Sequence, residues 1–193
     1  AQTNDPAITL SGGSEDDTIR LHNTSGNTGL VTLDGGAGND TLTGGVGTDL
    51  ADYSLATGGV TVNLSLTTAQ ITGGAGTDTL ATIESLTGSN YADTLTGTST
   101  VNVVLGGAGN DSVSGLAGND TVEGGDGDDV LIGGVGADIL RGDAGTDTAS
   151  YSTMTTAFSS PTVTQDTVLS NGVLIDLKLA TGTSRTAAPV AAN

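Results

Sequence analysis

The sequence predicts an all-β fold, a parallel β-solenoid built from short stacked strands, and three observations support this prediction. A nine-residue unit recurs along the chain, glycine and aspartate hold fixed positions in it, and an apolar residue holds another. A three-residue strand cannot bury its apolar face alone, so successive units must stack and share a thin core. Two arrays of such units, separated by a different segment, predict two solenoid blocks joined by a connector.

The composition indicates that the chain needs a bound ion in order to fold. It has 22 acidic residues against four Lys and Arg residues, and its formal charge is −18. Aromatic residues make up only 2% of the chain, which leaves little apolar surface to offset about 1–2 kcal/mol of backbone entropy per residue. Acidic, glycine-rich chains with few aromatic residues usually remain disordered. We therefore expect a cation to hold the fold together.

The same composition excludes several classes of partner. A surface of this charge repels the phosphates of nucleic acids and of anionic lipids, so we expect no nucleic-acid binding. No apolar run approaches the roughly 18 residues of a membrane span, so we expect no membrane insertion. Neither disulfides nor thiolate metal sites can form, because the chain has no cysteine. We expect the chain to be a piece of a longer parent, with neighbouring repeats as its partners.

The main array of nonapeptides occupies residues 88–150, where seven units follow one another without a gap. Counted from the first glycine of each unit, position six is acidic in all units except the second, which has Asn102. The position-six aspartates are Asp93, Asp111, Asp120, Asp129, Asp138 and Asp147. Position eight is always apolar: Leu95, Val104, Val113, Val122, Leu131, Leu140 and Ala149. Residues 88–152 are predicted to form the main seven-repeat domain.

A shorter array comes first, with units at 26–34, 35–43 and 44–52, and an isolated, degraded unit precedes it at 12–20. Asp40 and Asp49 occupy position six in two of them. Residues 12–72 are predicted to form a first, short block, and we expect the alternating segment GVTVNL at 59–64 to close it.

The remaining segments are predicted as a connector and an end piece. Residues 73–87 contain one isolated unit, with Asp78 at position six, and are predicted to join the blocks. Residues 153–193 are predicted to hold a strand segment and a tail at 186–193. Tyr53 and Tyr151 occupy equivalent places in DLADYS and DTASYS, and both are predicted to anchor a small core at the end of a roll.

Each unit has a simple predicted structure. Glycines at positions one, two and four permit a tight turn with positive φ. The aspartate at position six follows this turn, and positions seven to nine form a strand whose central apolar residue points inward. Stacked carboxylates roughly 4.8 Å apart require a cation. Calcium suits them because it takes six to eight oxygen ligands, including carboxylates and backbone carbonyls, whereas zinc would require His or Cys.

These units resemble the RTX, or haemolysin-type, calcium-binding repeat GGxGxDxUx, in which U is a large apolar residue. The resemblance implies a right-handed parallel β-roll with two nonapeptides per turn. It also implies four or more calcium ions between the turns, bound by position-six aspartates of units n and n+2 and by loop carbonyls. The implied carboxylate ligands are Asp40, Asp49, Asp78, Asp93, Asp111, Asp120, Asp129, Asp138 and Asp147. The implied carbonyl ligands are Gly36, Gly38, Gly107, Gly109, Gly118, Gly125, Gly127, Gly134, Gly136 and Gly145.

The resemblance further implies two edges of bound ions in the main array. The implied pairs are Asp93–Asp111, Asp111–Asp129 and Asp129–Asp147 on one edge and Asp120–Asp138 on the other. A site between Asn102 and Asp120 is expected to be weaker or empty, because an amide replaces the carboxylate. Glu15 replaces a turn glycine in the first unit, which puts Asp17 in doubt as a ligand.

We predict no catalytic residue and no enzymatic activity. His22 is expected to be a loop residue, and the Asp126–Asp128 segment fails as an EF-hand because its twelfth position is Ala137 instead of Glu. The resemblance implies a module that folds on binding extracellular calcium and assists the type I secretion of a bacterial protein. The alternative is a segment of a calcium-stiffened surface adhesin or surface-layer protein. Ice binding is disfavoured, because position three is mostly Ala or Val.

Overall fold

The computed structural model describes residues 8–22 and 29–150 and the short strands at 167–168, 174–178 and 184–186. Within these ranges the chain forms strands and no helix. The first ten strands are β1 Ile8–Gly13, β2 Thr18–Arg20, β3 Val31–Gly36, β4 Thr41–Thr43, β5 Asp49–Asp52, β6 Thr61–Asn63, β7 Gln70–Gly73, β8 Gly76–Ala81, β9 Ser85–Thr87 and β10 Thr94–Thr96. The others are β11 Val103–Ala108, β12 Ser112–Ala117, β13 Thr121–Asp126, β14 Val130–Val135, β15 Ile139–Ala144, β16 Thr148–Ser150, β17 Thr167–Val168, β18 Leu174–Lys178 and β19 Ser184–Thr186.

Strands that follow one another along the chain mostly belong to different sheets, as expected for a chain that coils. One sheet has eight parallel strands in the order β1-β3-β5-β9-β11-β13-β15-β17. A seven-stranded sheet has the order β19-β18-β16-β14-β12-β10-β6, and a four-stranded sheet has the order β2-β4-β8-β7. All described pairings are parallel except β7 with β8 and β18 with β19. The predicted all-β parallel roll is therefore confirmed.

Two nonapeptides form one turn of the roll in the main array. Val104 of β11 pairs with Val122 of β13, which in turn pairs with Leu140 of β15. The same step appears in hydrogen bonds that join residues 18 positions apart. Alternate units therefore belong to opposite sides of the roll, and position-six residues stack in the n and n+2 order that the repeat implies.

Position-eight side chains form the core. Val104, Val122 and Leu140 are completely buried in one column. Leu95, Val113, Leu131 and Ala149 form the facing column and are equally buried. Burial of each Leu or Val contributes about 1.5–3 kcal/mol. Small apolar residues in a regular column fill this thin interior without aromatic rings.

Glycine at position two is required by the close stacking of turns. Gly125 has φ of 110°, and an added Cβ would lie 2.0 Å from the carbonyl oxygen of Gly107 in the preceding turn. No larger residue fits there unless the backbone moves. Leu116 occupies position two of its own unit and nevertheless has φ of 77°, which is an unfavourable conformation for a residue with a Cβ.

Residues 53–87 link the two arrays and take part in the sheets. β6 forms the edge of the seven-stranded sheet and pairs with β10, while β7 forms the edge of the four-stranded sheet and pairs with β8. β9 lies between β5 and β11 in the eight-stranded sheet. The eight-stranded sheet therefore continues through the predicted connector, whereas the seven-stranded and four-stranded sheets are separate.

Part of the predicted C-terminal segment is described. β17 and β18 each add one parallel strand to a sheet, and β19 follows as an antiparallel strand. Tyr151, the remainder of residues 153–193 and the predicted tail beyond Thr186 lie outside the described residues. Among the described residues there is no helix with the length and apolar character of a membrane span.

Candidate metal centre

Position-six side chains form three rows, because the strands that follow them pair in register. Row one contains Asp93, Asp111, Asp129 and Asp147, which precede strands of the seven-stranded sheet. Row two contains Asp49, Glu84, Asn102, Asp120 and Asp138, at the eight-stranded sheet. Row three contains Asp17, Asp40 and Asp78, at the four-stranded sheet. Each of the nine predicted carboxylate ligands therefore belongs to one of these three rows.

Each row is connected by the same hydrogen bond, from the backbone of one residue to the side chain of the next. In row one the N–H of Asp93 donates to Oδ1 of Asp111 at 2.8 Å, and the N–H of Asp111 donates to Oδ1 of Asp129 at 2.8 Å. The N–H of Asp129 donates to Asp147 at 3.1 Å. Rows two and three repeat this bond from Asp120 to Asp138 and from Asp40 to Asp78. In each of these pairs the bond occupies one carboxylate oxygen of the accepting residue.

The other carboxylate oxygen is often buried without a partner. All position-six aspartates from Asp40 to Asp147 are at most 3% exposed. Six of them have one buried oxygen that accepts no hydrogen bond: Asp40 Oδ2, Asp49 Oδ1, Asp111 Oδ2, Asp120 Oδ2, Asp129 Oδ2 and Asp147 Oδ2. Burial of an ionised carboxylate costs several kcal/mol unless a counter-charge is near. These atoms fit a hard cation with oxygen ligands.

The electrostatics of row one lead to the same conclusion. Burial raises the pKa of Asp111 to about 6, and the like charges of Asp93 and Asp129 add to that effect, although the N–H of Asp93 opposes it. Burial also raises the pKa of Asp120 and of Asp129. In row three, burial raises the pKa of Asp40, with Asp78 among the repelling charges. A cation beside these carboxylates would offset the cost of their burial and the repulsion between them.

All ten predicted carbonyl residues lie in the turns beside the rows. The carbonyl oxygens of Gly38, Gly107, Gly109, Gly118 and Gly127 face a glycine of the next turn. A Cβ added at Gly36, Gly125, Gly134, Gly136 or Gly145 would meet a carbonyl oxygen of the preceding turn. Within the described residues, no group of three or more His, Cys, Asp or Glu side chains could hold a metal ion by itself. A metal site in the rows would need oxygen ligands besides the carboxylates, and these turn carbonyls lie beside them.

Glu84 is a row member that the sequence reasoning missed. It lies between Asp49 and Asn102 in row two, where the N–H of Asp49 donates to its Oε2 at 3.0 Å. Nδ2 of Asn102 donates to the Glu84 carbonyl oxygen at 2.9 Å. Burial raises the Glu84 pKa. The turn glycines of the nonapeptide are absent before Glu84. The sequence therefore marked this position only by an acidic residue two places before the apolar Leu86.

A second stacked set, at position five, was also missed. Oδ1 of Asn110 accepts the N–H of Asp128 at 3.0 Å, and Oδ1 of Asp128 accepts the N–H of Thr146 at 2.8 Å. Asn119 makes the same contact to Ala137 at 2.9 Å. These side-chain oxygens are exposed and accept backbone N–H groups of the next turn, so they stabilise the stacking of the turns. The recurring Asn-Asp and Asp-Asp pairs in the sequence were the available sign.

Two units with a hydroxyl residue at position two satisfy their own position-six side chain. Oγ of Ser89 donates to Oδ1 of Asp93 at 2.8 Å. Oγ1 of Thr98 donates to Oδ1 of Asn102 at 3.0 Å, and the Thr98 N–H donates to the same oxygen at 2.7 Å. Asp93 and Asn102 consequently lack the unpartnered buried oxygen of Asp111. These two positions depend less on a cation.

Comparison with known families adds independent support. The family model of the RTX calcium-binding nonapeptide repeat (4 copies) matches residues 25–51, 87–122 and 114–149. The matches include Asp40, Asp49 and the whole main array up to residue 149. They omit residues 52–86, which contain Asp78 and Glu84. A search of the curated proteins finds no match.

Proposed function

The chain belongs to the RTX calcium-binding nonapeptide repeat family through residues 25–51 and 87–149, and from this premise we propose that it folds on binding extracellular calcium. In this proposal the module has a structural role in a secreted bacterial protein and assists its secretion. It carries no catalytic site of its own. The single observation that supports it most is the set of buried carboxylate oxygens without partners, as in Asp111 and Asp129.

We propose the position-six aspartates as the carboxylate ligands, together with the turn carbonyls beside them. Row one offers three successive pairs, from Asp93 to Asp147, and row two offers Asp120 with Asp138. With these pairs alone the module would bind four ions. Asp40 and Asp49 supply further unpartnered oxygens near the start of the roll.

Calcium-dependent folding follows from the charge of the rows. Without a cation, carboxylates such as Asp93, Asp111 and Asp129 repel one another in a buried environment. An ion present at ten to a hundred times its dissociation constant stabilises the folded state by about 1.4–2.7 kcal/mol per site. Several coupled sites would convert a marginal chain into a stable domain, so folding and binding form one event. A low-calcium cytosol would keep the chain unfolded for export.

A second candidate is a repeat segment of a surface adhesin or surface-layer protein. The sequence DLADYS at 49–54 recurs as DTASYS at 147–152, which indicates a repeat longer than the nonapeptide. β1 is the outer strand of the eight-stranded sheet, and its far edge has no partner among the described residues. An open edge of this kind accepts a further coil. Many copies in the parent gene would favour this role over a secretion-assisting module.

Circular dichroism during a calcium titration tests the proposed function. The β-sheet signal should rise with calcium, fall strongly with a chelator and respond much less to magnesium, which prefers a tighter octahedral site. Magnesium at equal ionic strength serves as the matched control for screening of the charge of −18. A strand signal that persists unchanged in chelator would contradict the proposal.

A further inference from the structure

Protein groups occupy both side-chain oxygens of Asp78, and in contrast to Asp93 these groups include the hydroxyls of two residues outside its own unit. Oδ1 accepts the N–H of Asp40 at 2.9 Å. Oδ2 accepts two hydroxyl donors, the Tyr53 phenol at 3.0 Å and the Thr72 Oγ1 at 3.0 Å. Asp78 is 1% exposed, Thr72 is 0% exposed and Tyr53 is 5% exposed. The carboxylate is thus buried and satisfied without a cation.

Both donors come from the inserted segment, residues 53–72, which lies between the unit at 44–52 and the isolated unit at 73–81. Tyr53 directly follows β5, and Thr72 lies in β7, the antiparallel edge strand that pairs with β8. Gln70 of β7 lies opposite Asp78 in that pairing. The inserted segment therefore closes the end of row three from the side on which the next nonapeptide coil would otherwise stack.

Both donors are buried, and Tyr53 is part of the core. Tyr53 belongs to the buried apolar cluster that also contains Leu42, Leu80 and Ile83. Burial raises the pKa of Tyr53, and the charge of Asp78 raises it further, so the phenol remains a proton donor. An ion at Oδ2 of Asp78 would have to displace this phenol and the Thr72 hydroxyl together. The residues around Asp78 therefore do not fit calcium, in contrast to those around Asp111.

We propose that the hydroxyls of Tyr53 and Thr72 replace calcium at Asp78, so that the β7–β8 end of row three remains ordered when calcium is removed. This inference rests on the proposed calcium function of the other rows. It divides the roll into a metal-independent closure and metal-dependent coils, and it removes Asp78 from the expected ligands. The closure gives the chain an ordered starting point from which the calcium-dependent coils can stack.

Calcium stoichiometry of the full chain provides the first test. Asp78→Asn should leave the number of bound ions, measured by equilibrium dialysis with elemental analysis, unchanged. Asp111→Asn, the matched control in row one, should lower that number. Loss of an ion from Asp78→Asn would overturn the inference. If the wild-type chain binds no calcium, the proposed function fails, and the exchange experiment still tests the closure.

Amide hydrogen exchange with mass spectrometry provides the second test, and it does not require calcium. In chelator, peptides that cover β7 and β8 should remain protected, while peptides that cover β12 and β14 exchange freely. Tyr53→Phe removes the phenol hydroxyl that donates to the buried Asp78 carboxylate, and it should speed amide exchange in β7 and β8 by about tenfold. This variant keeps the ring and is expected to fold. Equal exchange of β7, β8, β12 and β14 in wild-type chelated protein would overturn the inference.

Discussion

The backbone N–H of Asp49 donates to Oε2 of Glu84 at 3.0 Å, although the two residues are 35 positions apart. This contact inserts a residue from outside the nonapeptides into row two. It also links β5, from the first array, to β9, which pairs with β11 of the main array. Row two is thereby continuous from Asp49 to Asp138, and Glu84 is required for that continuity.

Replacement of Glu84 by Ala should destabilise the module. The variant removes the acceptor of the Asp49 N–H and leaves that group buried without a partner, which costs about 1–3 kcal/mol. Urea denaturation in saturating calcium measures the loss. Glu84→Gln keeps an acceptor oxygen and should cost less, and Glu15→Gln, at an exposed turn position, should cost nothing measurable. An Ala variant as stable as the wild type would contradict the role of Glu84.

Removal of the Asp129 charge should weaken calcium binding at two neighbouring sites. Asp129 contacts Asp111 on one side and Asp147 on the other, so Asp129→Asn affects both pairs. If each pair holds one ion, the free energy of unfolding in calcium should fall by about 1.4–2.7 kcal/mol per site. Isothermal titration calorimetry and thermal melts measure both effects. Asp126→Asn changes the same charge at an exposed position of β13 and is the control.

Equal calcium affinities for Asp129→Asn and Asp126→Asn would show that overall charge, and not the row, determines calcium binding. The comparison is informative because both variants reduce the formal charge of −18 by one unit.

Acidification should oppose calcium binding below about pH 6. The pKa of Asp111 is about 6 in the folded chain, above its value of 3.8 in the absence of burial and like charges. Protonation of Asp111 therefore stabilises the calcium-free fold. This stabilisation is fully present below pH 3.8 and is lost as the pH rises through about 6. Calcium must displace those protons, so its midpoint concentration should rise as the pH falls from 7.5 to about 5.

Two titrations by circular dichroism separate these effects. In chelator, residual structure should increase on acidification, whereas in calcium the midpoint should shift to higher concentrations. A calcium midpoint that is independent of pH over this range would contradict the raised pKa of the buried carboxylates such as Asp111 and Asp129.

Replacement of Leu116 by Gly should stabilise the roll. Leu116 has φ of 77°, in the left-handed region that costs a residue with a Cβ about 1–2 kcal/mol. Leu116 is 39% exposed, so the substitution also gives up part of its burial, which offsets some of the relieved strain. We expect a net gain of at most about 1 kcal/mol in urea denaturation with calcium present. Ala117→Gly, the next residue along and without positive φ, should instead destabilise by about 0.5–1 kcal/mol.

The regular part of the fold could be predicted from the sequence because its determinants are local. Glycine at positions such as 107 and 125, the aspartate that follows and the apolar residue two places later specify one turn and one strand each. Stacking then follows from the need to bury Val104 against its neighbours. The n and n+2 rows, the burial of position eight and the two-unit coil all appear as the repeat implies.

The junction between the arrays could not be predicted, because pairing across many residues determines it. β6 finds β10 beyond an intervening hairpin, and β9 joins β5 although no glycine turn precedes it. Thr82 makes that turn with φ of 52°, a conformation that the residue type does not indicate. The sequence likewise indicates that the ring of Tyr53 packs in a core. Its hydrogen bond to Asp78 could not be predicted, because that contact depends on how the chain folds back at β7.

Crystallography of the chain grown in calcium, with anomalous scattering to locate the ions, is the most direct test of calcium binding by the rows. We expect an ion beside each of the pairs Asp93–Asp111, Asp111–Asp129, Asp129–Asp147 and Asp120–Asp138, with turn carbonyls among its ligands. We expect no ion at Asp78, where Tyr53 and Thr72 already donate. Rows that contain no calcium at saturating concentration, with their carboxylates still buried, would contradict the proposed calcium binding.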